Sequence, residues 1–169
     1  MNNIEELTIS LTLWGKLLNE HSWNEWYIDV KKIFGMLGLD VTHLGVISPR
    51  YQSGKVLTVS RKEKEILRSF EDGALPTSLS CYSLPKDYRT AAFDYNLFIS
   101  RREEYITIIM KEEYYNAEKV DSFITILNKY IDMERGQIYE MDVNDLPLFY
   151  ANGANDISFY KTLKVIKNL

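Results

Sequence analysis

The stretch Ala92-Phe93-Asp94-Tyr95-Asn96-Leu97-Phe98-Ile99-Ser100-Arg101-Arg102-Glu103-Glu104-Tyr105-Ile106-Thr107-Ile108-Ile109-Met110 decides the fold. Tyr95, Leu97 and Ile99 alternate with Asn96, Phe98 and Ser100, a charged turn Arg101–Glu104 follows, and a β-branched run from Tyr105 to Met110 returns. Alternation, charged turn and β-branched return describe a β-hairpin. The sheet is expected to grow from it, with helices laid against it.

Working outward, Leu7, Ile9, Leu11 and Leu13 alternate with Thr8, Ser10 and Thr12, which reads as a half-buried first strand. Ser22-Trp23-Asn24-Glu25 has the capping-box pattern, in which the hydroxyl and the carboxylate each satisfy the other residue's amide. The helix it opens carries Trp23, Trp26, Tyr27, Val30, Ile33, Phe34 and Leu37 at helical spacing and stops at Gly38. Val41 to Ile47 and Val56 to Val59 read as strands. Ser60 to Glu63 repeats the capping pattern before a charged, amphipathic helix that ends near Asp72. Ser78 to Leu84 reads as a further strand.

After the hairpin, Asn116 caps a third helix, predicted from Ala117 to about Met133 with Val120, Phe123, Ile124, Leu127, Tyr130 and Ile131 as its stripe. Gln137 to Val143 returns as a strand whose apolar face is Tyr139, Met141 and Val143. Phe159, Leu163 and Ile166 fit a short terminal helix, although Ile157, Phe159, Leu163 and Val165 also fit a strand; the helix is preferred here. The expected architecture for residues 1–169 is one α+β domain, a mostly antiparallel sheet with about three helices packed mainly on one face.

Composition narrows function. A net charge of −4 lacks the basic excess of a nucleic-acid binder. No apolar run reaches the length of a membrane helix, and Met1 to Glu6 carries acid where a leader carries positive charge. A single cysteine, Cys81, rules out an internal disulfide and suits a reducing cytoplasm.

Catalytic signatures are missing. His21 and His43 have no Cys, Asp or Glu at ligand spacing, so no metal is expected. His21 reads as the residue before the helix cap, packing on Trp26, and His43 as an ordinary sheet residue. Cys81 has no local nucleophile signature, there is no Gly-x-Ser-x-Gly, and no glycine run forms a phosphate cradle, so no cofactor is expected either. A metal-dependent hydrolase or nuclease would have to use Asp94 with Glu112 or Glu113. Yet the strand after the turn holds no acid, so the usual carboxylate spacing fails.

Twelve tyrosines, seven phenylalanines and three tryptophans point instead to surface recognition, since aromatic anchors in a charged rim characterise interfaces. Trp23, Trp26 and Tyr27 beside Glu25 form one such group, with Trp26 itself read as core. The partner-binding candidates are Glu112, Glu113, Tyr114 and Tyr115, together with Asp145, Phe149 and Tyr150. Read as strand neighbours, Tyr114 and Tyr115 would face opposite ways, leaving at least one accessible.

The acidic, Tyr-rich chain with one Cys, its Trp14-Gly15 after the first strand and its Trp23-to-Phe34 helix resemble the immunity proteins of bacterial polymorphic-toxin systems. The resemblance implies a cytoplasmic protein that binds a cognate toxin domain and neutralises it by occlusion. It transfers no individual residue. A structural or adaptor homodimer joined through an exposed strand is the remaining alternative.

Overall fold

The computed structural model describes residues 6–169, and the leader reading made on the N-terminus rests largely on residues outside that range. In chain order the elements are β1 (Leu7–Leu17), α1 (Trp23–Met36), β2 (His43–Ile47), β3 (Val56–Thr58), α2 (Val59–Glu71), β4 (Ser78–Ser83) and α3 (Ala91–Asp94). Then come β5 (Leu97–Arg101), β6 (Tyr105–Lys111), α4 (Ala117–Leu127), β7 (Ile131–Asp142), α5 (Pro147–Asn152) and β8 (Lys164–Asn168). The strands form one sheet in the order β3-β2-β4-β5-β6-β1-β7-β8, and every neighbouring pair is antiparallel. This is the expected α+β fold, and the β5–β6 hairpin lies in the middle of it.

Both faces of the sheet are covered. On the first, Ile9, Leu11, Leu13, Leu97, Ile99, Ile106, Ile108 and Met110 pack under α1, α2 and α4. On the second, Phe98 and Ile109 join Tyr95 and Val143, while Tyr139 and Met141 join Tyr160. The three long helices share one face, as expected. The short α3 and α5 bring the α-helices among the described residues to five, with α5 and the C-terminal segment lying over the second face. Double coverage explains why Ile108-Ile109-Met110 is apolar without a break: both faces of a central strand are buried.

Helix α1 begins where its sequence says. Ser22 Oγ accepts from the Glu25 amide at 3.1 Å, and Trp26 is fully buried. The reciprocal half of the box is not made. The Glu25 carboxylate turns to His21 Nδ1 at 2.8 Å, and the His21 ring lies on Tyr130 rather than on Trp26.

Several local expectations are corrected. Residues 92–94 are helical, not extended, because the Asp94 carboxylate accepts the Arg89 and Thr90 amides at 2.7 and 2.8 Å and closes a turn. The second capping box does not form. Helix α2 starts two residues earlier than that cap predicts, at Val59, and Glu63 instead accepts from Tyr27 and from Lys31 at 3.5 Å. The third long helix stops at Leu127. Tyr130 and Ile131 satisfy a helical stripe and a strand equally, and pairing with Leu17 draws Ile131 into β7. The terminal segment is a 3₁₀ turn at Ile157–Phe159 followed by β8, not a helix, because the outer edge of β7 accepts it. Tyr114 closes a 3₁₀ turn at Glu112–Tyr114, so the strand argument for Tyr114 and Tyr115 does not apply. Among the described residues, no helix is long and apolar enough to cross a membrane.

Candidate interaction surface

The sheet register separates two ends of the molecule. Leu7, Lys111 and Asp142 lie at one end; Trp14, Leu17, Arg101, Tyr105 and Ile131 lie at the other. The candidates from sequence divide at the first end. Glu112 and Glu113 stand exposed on their turn, while Tyr114 and Tyr115 fold half-buried onto the main core. Asp145 goes to the opposite face, where its carboxylate accepts both the amide and the hydroxyl of Thr162, at 2.7 and 2.6 Å. Its role there is to fasten the C-terminal segment. The exposed Phe149 borders a small apolar pocket with Tyr95, Phe98 and Leu148. These seven residues do not form one surface.

Helix α5 carries Tyr150 to the other end, where a different set of residues converges. Strand β1 pairs with β7 irregularly between Trp14 and Gly15. The irregularity depends on glycine, since a Cβ at Gly15 would lie 2.1 Å from the Asp132 carbonyl oxygen. The bulge holds Trp14 half-exposed over the second face. Its indole N–H donates to the Ala151 carbonyl at 2.8 Å, and its ring meets Tyr150 edge-on with centroids 6.4 Å apart. Tyr150 in turn meets Tyr139 and Tyr160 edge-on, with centroids 4.6 and 5.4 Å away, and its hydroxyl donates to Gln137. The Tyr105 hydroxyl, its pKa pushed up by burial, donates to Asn152 Oδ1 at 2.5 Å. The aromatic group is therefore locked by hydrogen bonds to α5.

Around it is an open groove of about 460 Å³, bordered by Trp14, Tyr105, Tyr150, Arg102 and Arg135 and by the acidic turn residues Glu103 and Glu104. A second depression of about 530 Å³ shares Trp14, Glu103 and Glu104 and adds Lys16 and Glu134. A third, of about 450 Å³, contains His21, Trp23, Phe70 and Leu75. Trp23 also covers Arg101, whose guanidinium carbon is 4.1 Å from the indole centroid. That places the third depression beside the same end of the sheet.

The residues considered for chemistry lie apart. Cys81 pairs with Leu44 and faces the main core, fully buried, with its thiol pKa pushed up by that burial. His43 pairs with Tyr82 on the opposite face, bonded to Thr42 Oγ1 at 2.8 Å and edge-on to Tyr88. Asp94 is held below the usual carboxylate range by the Thr90 and Arg89 amides, both of which donate to its Oδ2. Among the described residues, no three His, Cys, Asp or Glu side chains converge on a point that would hold a metal ion.

Sequence reading missed Trp14, Arg102, Tyr105 and Arg135 as residues of this groove. The available signals were the Trp14-Gly15 pair, where a glycine inside an alternating strand marks a bulge, and the charged hairpin turn. No family model matches the chain, and the searches of curated proteins and of solved structures found no match.

Proposed function

We propose that this chain is an immunity-type inhibitor that binds a toxin domain of a bacterial polymorphic-toxin system and neutralises it by covering it. The contact surface is the Trp14 end of the sheet. The observation that carries this reading is the rigid aromatic anchor of Trp14, Tyr105 and Tyr150, ringed by exposed charges of both signs and flanked by open depressions. Interfaces concentrate their energy in such buried or half-buried aromatics, while the charged rim orients the encounter. The locked side chains lower the ordering cost that binding would otherwise carry. The site of action is the cytoplasm, where the free thiol of Cys81 is ordinary.

The test is affinity capture from the native host with the full chain as bait, followed by assay of the captured protein with and without added chain. Loss of the partner's activity on addition, and failure of a Trp14→Ala variant to block it, is the expected result. A captured partner left fully active by saturating wild-type chain would end the inhibitor reading.

A further inference from the structure

Resting on that reading, we infer that the Trp14 groove is a receptor for carboxylates, and that the segment it takes from the protein partner is an acidic peptide. Arg102 and Arg135 supply the two forks. Arg102 sits in a turn with Glu103 and Glu104, yet its guanidinium pairs with neither. Its Nε donates to Ser100 Oγ at 3.0 Å. Ser100 is itself fully buried and shares a 2.9 Å hydrogen bond with Ser80. A buried hydroxyl pair thus aims the Arg102 side chain and leaves its two terminal nitrogens for another acceptor.

Arg135 is held differently. Its guanidinium carbon lies 3.9 Å from the Trp14 ring centroid, so the group rests over the indole face. Among the described residues, neither guanidinium belongs to an ion pair. Two oriented and uncompensated forks bordering one groove match carboxylate geometry, because each offers two parallel N–H donors. Glu103 and Glu104 on the same rim lower the local positive potential. That favours singly charged carboxylates over a dianionic phosphate. The neighbouring depression, with Glu103, Glu104 and Glu134 against Lys16, has the opposite sign, so a basic residue flanking the acidic segment would be complementary there.

The test uses the full-length ¹⁵N-labelled chain, with the arginine Nε–H and tryptophan indole N–H signals as reporters. The probes are acetyl-Glu-Glu-amide, acetyl-Gln-Gln-amide and inorganic phosphate at constant ionic strength. Saturable shifts of the Arg102, Arg135 and Trp14 signals are expected with the diglutamate alone. Its apparent dissociation constant should rise about fivefold or more in each of R102Q and R135Q, and rise measurably in R102K, which keeps the charge and loses the fork. Thermal unfolding of each variant guards against a folding defect. Identical shifts with both peptides, or an affinity indifferent to the substitutions, would overturn the inference. Tighter binding of phosphate would overturn the peptide assignment. The outcome is separable from that of the capture experiment. A partner inhibited equally by wild type and R102Q/R135Q sinks this inference and leaves the inhibitor reading standing. Saturable, substitution-sensitive diglutamate binding beside a captured partner that saturating wild-type chain leaves fully active does the reverse.

Discussion

The guanidinium of Arg101 lies beneath the Trp23 ring, 4.1 Å from its centroid, and is only 1% exposed. Tyr130 and Trp26 complete the cage at 5.3 and 5.8 Å, and a single hydrogen bond runs from Nη2 to the Leu18 carbonyl at 3.0 Å. Among the described residues no carboxylate pairs with this cation, and burial drives its pKa down to about 10. The aromatic faces take the place of a counter-ion. A buried charge held this way contributes little net stability, because desolvation offsets the attraction. Arg101→Met is therefore expected to unfold within about 1 kcal/mol of wild type in urea. Arg101→Ala, which leaves a hole under Trp23, should lose about 2–4 kcal/mol. Tryptophan emission should report the change at Trp23 in both.

Asp29 anchors the same region from the other side. Its carboxylate accepts from the Tyr130 hydroxyl at 2.5 Å and from Lys129 at 2.7 Å, with Lys32 at 3.4 Å. Burial pushes its pKa up, but the hydrogen bonds from Lys129 and Tyr130 outweigh that and leave it below its ordinary value of 3.8. The folded state therefore prefers the ionised form. Its contribution is fully present above pH 3.8 and is lost as pH falls through the lowered value. Asp29→Asn should cost roughly 1–3 kcal/mol at pH 7, the range for hydrogen bonds to a charged group. The gap between variant and wild type should close in denaturant titrations run below pH 3.8. A gap that stayed constant into acid would contradict the assignment.

Gly15 is required by contact, not by propensity. A methyl group there would meet the Asp132 carbonyl oxygen at 2.1 Å and the Glu134 amide nitrogen at 2.9 Å, and both are backbone atoms in a paired strand. Gly15→Ala should destabilise the fold by at least about 2 kcal/mol, through separation of β1 from the start of β7. Because the same bulge holds Trp14, its emission should shift even where the variant stays folded.

Asp145 binds Thr162. Its carboxylate holds both the amide and the hydroxyl of that residue just before β8. Asp145→Ala should speed amide exchange across residues 162–168 by about tenfold or more while the β5–β6 amides keep their protection, since an edge strand opens without unfolding the centre. Exchange that accelerated uniformly would show instead that the C-terminal segment belongs to the global folding unit.

Local chemistry made some of this legible. Ser22 reads as a cap because its hydroxyl needs only the amide three residues on, and the β5–β6 hairpin reads as one because its two runs are joined by a short turn. The limits were also physical. Tyr130 and Ile131 are apolar under either periodicity, so only the demand of Leu17 for a partner ends α4 early. Glu25 and Glu63 could each have completed a cap, yet His21 and Tyr27 offered them better-placed donors. Residues 157–169 had two acceptable periods, and the free edge of β7 selected the strand.

The amino-acid sequence by itself determined an antiparallel α+β protein, its central hairpin, the start of α1 and the burial of Trp26. Periodicity and capping act within a few residues, and those features need nothing more. The candidate surface was decided only by tertiary structure. Trp14 donates to the carbonyl of Ala151, 137 residues away, and its ring face meets Arg135 from across the β1–β7 pairing. Contacts of that range exist only once the strand order brings the chain's beginning, middle and end to the same end of the sheet.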